Sequence, residues 1–323
     1  MENGLFLVCG EALWDLFAKE DGDGLSFDAR IGGSPFNVAV GLARLGLPAA
    51  LLTGLSTDPL GARLHDALTR EGVATDFLLR TPRPTTLSLV DLGPDGSPAY
   101  TFYGEGAADR ALEADGLPDL ESGPGAAVWG IHFGSYSLVV EPVASALTAL
   151  AAREAGRRLI TLDPNVRLNV EPDAALWRSR IEAFVRYADV VKVSEEDLDL
   201  LYPGEPVTTT VARWRETGAG IVIVTRGGKG VQAHGCGMMV DVDIRPVTVI
   251  DTVGAGDSFQ SALIAGLAER GVRDRAGLDA IDRDSLADIV AFAVEAAAIT
   301  CTRRGADLPR RSELADYGGM EGT

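Results

Sequence analysis

The sequence predicts an α/β protein built on a mostly parallel sheet. Short apolar runs rich in β-branched residues alternate with segments whose apolar residues have helical spacing, and helices are the usual connections between parallel strands. Six such runs predict buried strands, at residues 5–9, 49–55, 127–133, 159–162, 190–193 and 221–224. From residue 251 onward the pattern becomes helical, with alanine-rich stretches at 258–271 and 284–302.

Two of the connecting helices have clear starts. In Ser34-Pro35 and in Asp58-Pro59, a side chain that can cap a helix comes directly before a proline, which is favoured at the first helical position. Gly72 then predicts the end of the second helix, because glycine readily adopts the left-handed conformation that closes helices.

Two regions break the alternation, because residues 14–30 and 85–103 have strand patterns without an intervening helix. In the second, leucines at 87, 89 and 92 precede the turn sequence G-P-D-G, and aromatic residues at 100, 102 and 103 follow it, which predicts a hairpin. We expect a single domain over residues 1–323, with a small β-sheet lid inserted at about 13–31 and 85–105; an irregular surface excursion is the alternative. Because the apolar face of such a lid needs a cover, we also expect a homodimer through the lid.

Composition excludes several classes of protein. The chain has 323 residues, 46% of them hydrophobic and 24% charged, which is ordinary for a globular protein. A formal net charge of -18 and the lack of a basic segment argue against a nucleic-acid partner. No apolar run approaches the roughly 18 residues of a membrane span and no signal peptide is evident, so we expect no membrane association and a cytoplasmic location. The three cysteines and three histidines lack the spacing of disulfide or zinc sites.

Common phosphate-binding and hydrolase motifs are absent. The string Gly227-Gly228-Lys229-Gly230 has glycine where a P-loop needs serine or threonine, and no G-x-G-x-x-G follows the first strand. The string G-D-S-F-Q at 256–260 ends in glutamine, so it lacks the second glycine of a serine-hydrolase elbow.

The segment I-D-T-V-G-A-G-D-S-F at 250–259 carries the strongest chemical signal. A glycine-rich turn that opens onto a helix directs backbone N–H groups and the positive end of the helix dipole to one point, where an anion can bind. Small residues at Gly254, Ala255 and Gly256 let the anion approach the backbone. Asp257 lies beside this anion hole, where a carboxylate would repel a phosphate but can accept a proton from an attacking hydroxyl. The alternative is a helix start with an ordinary acidic first turn.

Nine consecutive residues of this segment, D-T-V-G-A-G-D-S-F, resemble the C-terminal signature of the ribokinase-like sugar kinases, the phosphofructokinase B family. The resemblance implies a ribokinase-like three-layer α/β/α sandwich. It also implies transfer of a phosphoryl group from ATP to a sugar hydroxyl, with Asp257 as the catalytic base and residues 254–256 as the anion hole.

A second string matches the family near the start of the chain. G-G-S-P-F-N at 32–37 resembles the di-glycine motif, in which Gly32 and Gly33 hinge the lid and Asn37 binds the sugar. By the same comparison, Asp15 binds sugar hydroxyls.

D-P-N-V-R at 163–167 resembles an element of bacterial fructokinase-like members. The family's arginine, here Arg167, lies in the sugar site and faces the transferring phosphoryl group, where a planar cation suits developing negative charge.

T-R-G-G-K-G at 225–230 resembles the family's T-x-G-x-x-G, which lies along the ATP phosphates; a simple hairpin turn is the alternative. Lys192, on the preceding strand, is similarly expected to approach nucleotide phosphate. The resemblance therefore implies that ATP is bound by Lys192, Ser194, Thr225, Gly227, Gly230, Gly254 and Gly256.

S-E-E-D at 194–197 occupies the place of the family's N-x-x-E, which organises magnesium through water, so Asp197 is the expected magnesium residue. The sequence departs at both ends, with serine for asparagine and aspartate for glutamate. It is also a good helix cap.

I-T-C-T-R-R-G-A at 299–306 resembles a segment that holds a monovalent cation in some members, together with the aspartate that opens the catalytic motif. The implied ligands of a potassium ion are Asp251, Val253, Thr300, Arg303 and Gly305.

Two further strings, Y-T-F-Y-G-E-G-A-A-D at 100–109 and I-H-F-G-S at 131–135, resemble bacterial fructokinases and the related 2-keto-3-deoxygluconate kinases. Tyr103 is accordingly expected to contact the sugar.

The residue after Tyr103 separates these two subgroups. The acid-specific enzymes carry an arginine there to hold the substrate carboxylate, whereas this chain has Gly104. A buried carboxylate without its cation is unfavourable, so fructose is expected rather than the sugar acid, although Arg110 could supply the charge instead. The alternatives are a 2-keto-3-deoxygluconate kinase, a kinase of ribose or a nucleoside, and, more remotely, a non-catalytic sugar or nucleotide sensor.

Overall fold

The structure is a computed structural model that describes residues 4–21, 24–92, 98–235 and 237–317. Its strands are β1 Leu5–Cys9, β2 Leu13–Asp21, β3 Gly24–Gly32, β4 Ala49–Ser56, β5 Leu78–Thr81, β6 Leu87–Leu92, β7 Pro98–Tyr103, β8 Val128–Gly134, β9 Leu159–Asp163, β10 Val190–Ser194, β11 Ile221–Thr225, β12 Val231–Gly235 and β13 Met238–Val242. Its α-helices are α1 Ser34–Arg44, α2 Pro59–Arg70, α3 Val143–Glu154, α4 Ala174–Val185, α5 Glu195–Leu201, α6 Val207–Thr217, α7 Ala255–Glu269, α8 Arg275–Asp279 and α9 Arg283–Cys301.

The described strands of the main domain form a nine-stranded sheet of order β13-β12-β11-β10-β9-β8-β1-β4-β5. Its neighbouring pairs are parallel except β11 with β12 and β12 with β13. The predicted parallel sheet is confirmed. Each of the six predicted strands is present, with ends that differ from the prediction by no more than one residue.

Helices cover both faces of this sheet, because successive side chains of its strands point to opposite sides and most are apolar. Leu7 and Phe133 pack on one face with Leu147 of α3 and Phe184 of α4. Helices α1, α2, α7 and α9 cover the other face. The result is the predicted three-layer α/β/α sandwich. Among the described helices, none combines the length and the apolar character needed to cross a membrane.

The lid is a second, smaller sheet of order β3-β2-β6-β7. Its register pairs Asp15 with Arg30 and with Ser88, and Ser88 with Phe102, so these side chains share one face. Ser88 is fully buried, and the ring of Phe102 lies 6.0 Å from that of Tyr136 in the main domain, so this inner face points toward the main sheet. The predicted small sheet is confirmed, whereas its predicted turn at 93–96 lies outside the described residues.

Of the two predicted helix caps, Asp58 is confirmed and Ser34 is wrong. Asp58 caps α2 as expected, because its carboxylate accepts from the N–H of Gly61, and Gly72 follows the helix with φ +78°. In α1 the capping position is Gly33, with no side-chain cap, and Ser34 is already the first helical residue. The hydroxyl of Ser34 is used elsewhere, as described below.

Candidate active site

The predicted anion hole maps to the start of α7. Gly254 precedes the helix in a left-handed conformation, and a Cβ on it would lie 2.7 Å from Cα of Ala306, so only glycine fits. The N–H of Ala255 donates to the carbonyl of Thr252. The next N–H groups belong to the first turn of the helix, where no helical carbonyl precedes them to act as acceptor. Their donors and the helix dipole are therefore available to an anion.

Asp257 lies in the first turn of this helix and is held from two sides by α1. The hydroxyl of Ser34 donates to its Oδ1 at 2.6 Å, and the amide of Asn37 donates to its Oδ2 at 2.8 Å. Asp257 as a whole is buried, with 8% of its surface exposed. A carboxylate held in a fixed orientation beside a turn that can bind an anion has the geometry of a general base.

The di-glycine motif brings Asp15 to the same edge of the sheet. A Cβ on Gly32 would lie 2.2 Å from Oδ2 of Asp15, and Gly33, with φ +103°, would meet the carbonyl oxygen of Glu11 at 2.7 Å. Both glycines are thus required by close contacts at the point where the lid joins α1. Burial raises the pKa of Asp15, while the neighbouring Ser88 hydroxyl and the charge of Arg167 act to lower it.

Arg167 lies near enough to Asp15 for its charge to lower the pKa of that carboxyl. It is exposed, and its Nη1 donates to the carbonyl of Val166 at 2.9 Å. The charge of Arg167 thus acts on Asp15, while Asn37 is joined to Asp257 by a hydrogen bond in the first turn of α1.

Tyr103 does not join this group. It is paired with Leu87 on the outer face of the lid, and it is 59% exposed. The preceding residue, Phe102, takes the inward position. Strand alternation predicts that one of the two points inward, but the sequence alone did not fix which, because both are aromatic.

Lys192 lies beneath the anion hole. Its ammonium donates to Oδ2 of Asp163 at 2.8 Å, and a Cβ on Gly256 would lie 3.1 Å from Nζ. Burial alone would lower the pKa of Lys192, but the Asp163 carboxylate outweighs this effect and raises it. Burial raises the pKa of Asp163 to about 6, against the attraction of Lys192, so both groups are charged at neutral pH. The turn at Gly256 therefore has a fixed positive charge below it.

The predicted nucleotide-binding turns lie side by side at the carboxyl edge of the sheet. Ser194 ends β10 and Thr225 ends β11, and the register pairs these two residues. After Thr225, Gly227 and Gly230 have φ +52° and +92°, and a Cβ on Gly230 would lie 2.5 Å from the carbonyl oxygen of Val242. This turn also joins β11 to β12 as an antiparallel pair, so the hairpin alternative describes its geometry as well.

Residues 194–197 have a structural role as a helix start. The hydroxyl of Ser194 accepts from the N–H of Asp197 at 2.9 Å, and Oδ1 of Asp197 accepts from the N–H of Val166 at 2.9 Å. Asp163 lies close enough for the charge of Asp197 to raise its pKa further, and Oδ1 of Asp163 is buried without a hydrogen-bond partner among the described residues. Within the same part of the chain, no three potential metal-ligating side chains cluster.

Asp251 clamps residues 300–306 to the catalytic segment. Its Oδ1 accepts from the N–H of Val253 at 3.1 Å, and its Oδ2 accepts from the N–H of Gly305 at 2.8 Å. The hydroxyl of Thr300 lies 2.6 Å from that of Ser258. The side chain of Arg303 pairs instead with acids of the C-terminal segment, so only its backbone is available to a cation here.

Nearly the whole chain matches one family. A family model described as pfkB family carbohydrate kinase matches residues 4–313. This chain belongs to the pfkB family. It is an ATP-dependent sugar kinase, a phosphotransferase with an alcohol group as acceptor.

Two relatives of this pfkB kinase extend over most of its length. It is 36% identical to a fructokinase of Rhizobium leguminosarum bv. trifolii over 283 residues, which are 87% of this chain and 85% of that protein. It is 34% identical to a fructokinase of Klebsiella pneumoniae over 322 residues, which are 97% of this chain and 98% of that protein.

Solved fructokinases share the fold of this pfkB kinase. The structure from Xylella fastidiosa with bound ATP has a TM-score of 0.89 and 28% identity and covers 98% of both chains. The structure from Vibrio cholerae O395 in the fructose, ADP and calcium ion bound form has a TM-score of 0.81 and 27% identity, covering 98% of this chain and 99% of that one. The predicted ribokinase-like fold is confirmed.

Sequence reasoning missed two residues of the site. Ser34 was interpreted as a helix cap, although its position next to the di-glycine hinge was the available signal. Asp163 lies within D-P-N-V-R, where the family resemblance assigns a role only to Arg167; its position at the carboxyl end of a buried strand, like that of Lys192, is the signal for the ion pair.

Proposed function

We propose that this kinase transfers the γ-phosphoryl group of ATP to fructose and releases fructose 6-phosphate and ADP. The observation that carries the proposal is the fixed carboxylate of Asp257 beside the anion hole, with Asp15 of the lid at the same edge of the sheet. Asp15, Asn37 and the backbone of Gly33 hold the sugar beneath the lid. Fructose is favoured because the relatives described above are fructokinases.

Asp257 accepts the proton of the sugar hydroxyl as its oxygen bonds to the γ-phosphorus and the bond from that phosphorus to the bridging oxygen of ADP breaks. The turn at 254–256 binds the transferring group through its N–H groups and the helix dipole. The ammonium of Lys192 adds positive charge next to Gly256, and the guanidinium of Arg167 adds it near Asp15. The lid excludes water, which otherwise competes with the sugar as acceptor.

Magnesium is proposed to reach the nucleotide through water held by Asp197. The buried Oδ1 of Asp163, which has no hydrogen-bond partner among the described residues, supports a cation or its water next to Asp197. Bound magnesium neutralises charge on the phosphates. The lack of a three-ligand cluster in the described ranges favours such indirect binding.

A potassium ion is proposed beside Asp251, held mainly by backbone carbonyls of residues 253, 300, 303 and 305. Both oxygens of Asp251 already accept backbone N–H groups of this loop, so its negative charge is fixed where a monovalent cation would bind. Activity that rises with added potassium chloride, but not with sodium chloride at the same ionic strength, is the expected result.

Arg110 gives specific support to 2-keto-3-deoxygluconate as a second candidate substrate. A Cβ on Gly104 would lie 2.7 Å from Nη2 of Arg110, so the guanidinium occupies the space of a side chain at position 104. The guanidinium lies over the ring of Tyr136, 5.6 Å from its centroid. The guanidinium of Arg110 therefore lies near position 104, where the acid-specific enzymes carry their arginine.

A substrate panel tests both candidates. ADP release is measured with fructose, 2-keto-3-deoxygluconate, ribose and adenosine, and the highest kcat/KM is expected with fructose. Exclusive activity on the sugar acid would reverse the order, and Arg110→Gln should then lower that activity at least about tenfold because a charge-assisted contact is lost. No ADP release with any of the four would favour the sensor alternative. The need for ATP supports a cytoplasmic location.

A homodimer through the outer face of the lid is also proposed. Leu25, Phe27 and Tyr103 lie on that face and are 65%, 43% and 59% exposed. An exposed apolar sheet face favours association. Sedimentation at micromolar concentration should give the mass of a dimer, and Phe27→Lys should give that of a monomer.

A further inference from the structure

Arg30 is a charged residue of the lid that touches the main domain. It lies opposite Asp15 in the ladder between β2 and β3, so both side chains are on the inner face. A Cβ on Gly305 would lie 2.9 Å from Nη1 of Arg30 and 3.6 Å from its Cδ. The contact exists because residue 305 has no side chain.

Gly305 is in turn attached to the catalytic segment. Its N–H donates to Oδ2 of Asp251 at 2.8 Å. The next residue, Ala306, lies against Gly254, which precedes α7 and begins the anion hole. A continuous series of contacts therefore leads from the lid strand β3 to the turn that binds the transferring phosphoryl group.

We propose that Arg30 is a positioning residue that couples the lid to the anion hole. With the lid over the sugar, the guanidinium packs on Gly305 and holds residues 305 and 306 against Gly254. When the lid moves far enough to break this contact, the support is removed and the anion hole loosens. The inference rests on the proposed function and deepens it. An anion hole that is complete only under a closed lid reduces the transfer of the phosphoryl group to water.

The contacts of Arg30 explain why an arginine suits this position better than a lysine. Its Nη2 donates to Oδ2 of Asp28 at 3.0 Å, and its guanidinium lies 5.5 Å from the ring centroid of Phe17. These two contacts fix the plane of the guanidinium and direct its other edge to Gly305. A lysine ammonium cannot hold Asp28 and reach Gly305 at once, since it is a single point charge.

Steady-state kinetics of Arg30→Ala and Arg30→Lys test this coupling. Arg30→Ala is expected to lower kcat about tenfold, because a displaced anion hole no longer meets the developing charge, with the KM for sugar changed less than about twofold. Arg30→Lys should recover part of the loss. A role in lid stability alone would instead raise the KM for sugar.

Lys19→Ala is the matched control. Lys19 lies on the same inner face and also pairs with Asp28, at 3.5 Å, but it is 61% exposed and has no contact with Gly305. Its removal should leave kcat within about twofold of the wild type, as expected for an exposed ion pair. A wild-type kcat in Arg30→Ala, or an equal loss in Lys19→Ala, would overturn the proposal.

Hydrogen exchange separates this inference from the proposed function, because exchange needs neither sugar nor turnover. The amide of Gly305 is predicted to exchange at least about fivefold faster in ligand-free Arg30→Ala than in the ligand-free wild type or in Lys19→Ala. Equal rates would show that the lid does not support this segment. If the wild type phosphorylates no sugar, the proposed function fails, while the exchange rates still decide whether Arg30 supports Gly305.

Discussion

The side-chain amide of Asn37 donates a hydrogen bond of 2.8 Å to Oδ2 of Asp257, 220 positions away in the chain. The hydroxyl of Ser34 holds the other oxygen of the same carboxylate. The di-glycine motif and the catalytic motif, which the sequence presents as separate sugar and phosphate sites, therefore meet at one group. Because α1 begins at the lid hinge, the orientation of the proposed base depends on the element to which the lid is attached.

Replacing Asp257 tests the proposed base. Asp257→Asn is expected to lower kcat at least about 100-fold, because the amide cannot accept the hydroxyl proton. ATP affinity measured by calorimetry should change little, since the anion hole is made of backbone groups. Asp284→Asn is the control, because Asp284 is likewise an acidic residue in the first turn of a helix, α9, but away from the site. Near-normal turnover in Asp257→Asn would refute the assigned role.

Ser34→Ala tests whether the carboxylate must be held. The loss of the 2.6 Å bond to Oδ1 frees Asp257 to rotate, so kcat should fall about 10- to 100-fold. Ser261→Ala is the matched control, since Ser261 is equally buried between α7 and α1 but bonds to the carbonyl of Ser258. Comparable kcat values in the two variants would mean that packing between the helices matters, and not the bond to the base.

The parts of the fold that the sequence predicted best are those set by local physics. The six buried strands are apolar runs bounded by turn residues, and Asp58 has both the capping side chain and the following proline of a helix start. Such signals need no knowledge of distant contacts. The role predicted for the turn at 254–256 depends instead on the nine-residue match to the family signature, because a glycine-rich turn before a helix is also an ordinary helix start.

The parts that were missed depend on long-range contacts. Ser34 has the sequence of a cap, but the left-handed Gly33 takes that position and leaves its hydroxyl to a residue of α7. Tyr103 and Phe102 differ by one step of strand register, which a run of aromatic residues does not fix. The contact of Arg30 with Gly305 joins two segments that no sequence spacing relates.

Asp163→Asn tests the ion pair beneath the anion hole. The side chains of Lys192 and Asp163 are 5% and 2% exposed, so the variant leaves a buried ammonium without its partner and should lose about 3–5 kcal/mol of unfolding free energy. The double variant Asp163→Asn/Lys192→Met should lose less, because the isolated charge is gone. Urea denaturation measures both.

An exposed pair provides the control for that measurement. Glu195 and Lys229 lie 2.8 Å apart with side chains 32% and 72% exposed, and Glu195→Gln should cost less than about 1 kcal/mol. If Asp163→Asn were as mild as this, Lys192 would be able to lose its proton or reach water, and a fixed charge under Gly256 would be untenable.

Glu11 makes a pH-dependent contribution to stability at the lid hinge. Burial raises its pKa from 4.5 to about 7, a hydrogen bond from Ser137 acts to lower it, and the nearby Asp109 carboxylate raises it. Burial also raises the pKa of Asp109, which accepts hydrogen bonds from Thr86 and from Tyr136. The hinge thus contains two buried carboxyl groups whose pKa values are both raised by burial.

Glu11→Gln is therefore expected to change how stability depends on pH. The stability that protonated Glu11 contributes is fully present below pH 4.5 and is lost as the pH rises through about 7, because the unfolded chain gives up the proton first. Glutamine keeps the hydrogen bond from Ser137 and does not titrate. The variant should thus gain up to about 3 kcal/mol of unfolding free energy over the wild type at about pH 8, with little difference at about pH 5.

Urea denaturation at the two pH values measures this gain, and the exposed Glu113→Gln should show none of it. Parallel pH profiles of wild type and Glu11→Gln would mean that Glu11 stays ionised in the folded protein.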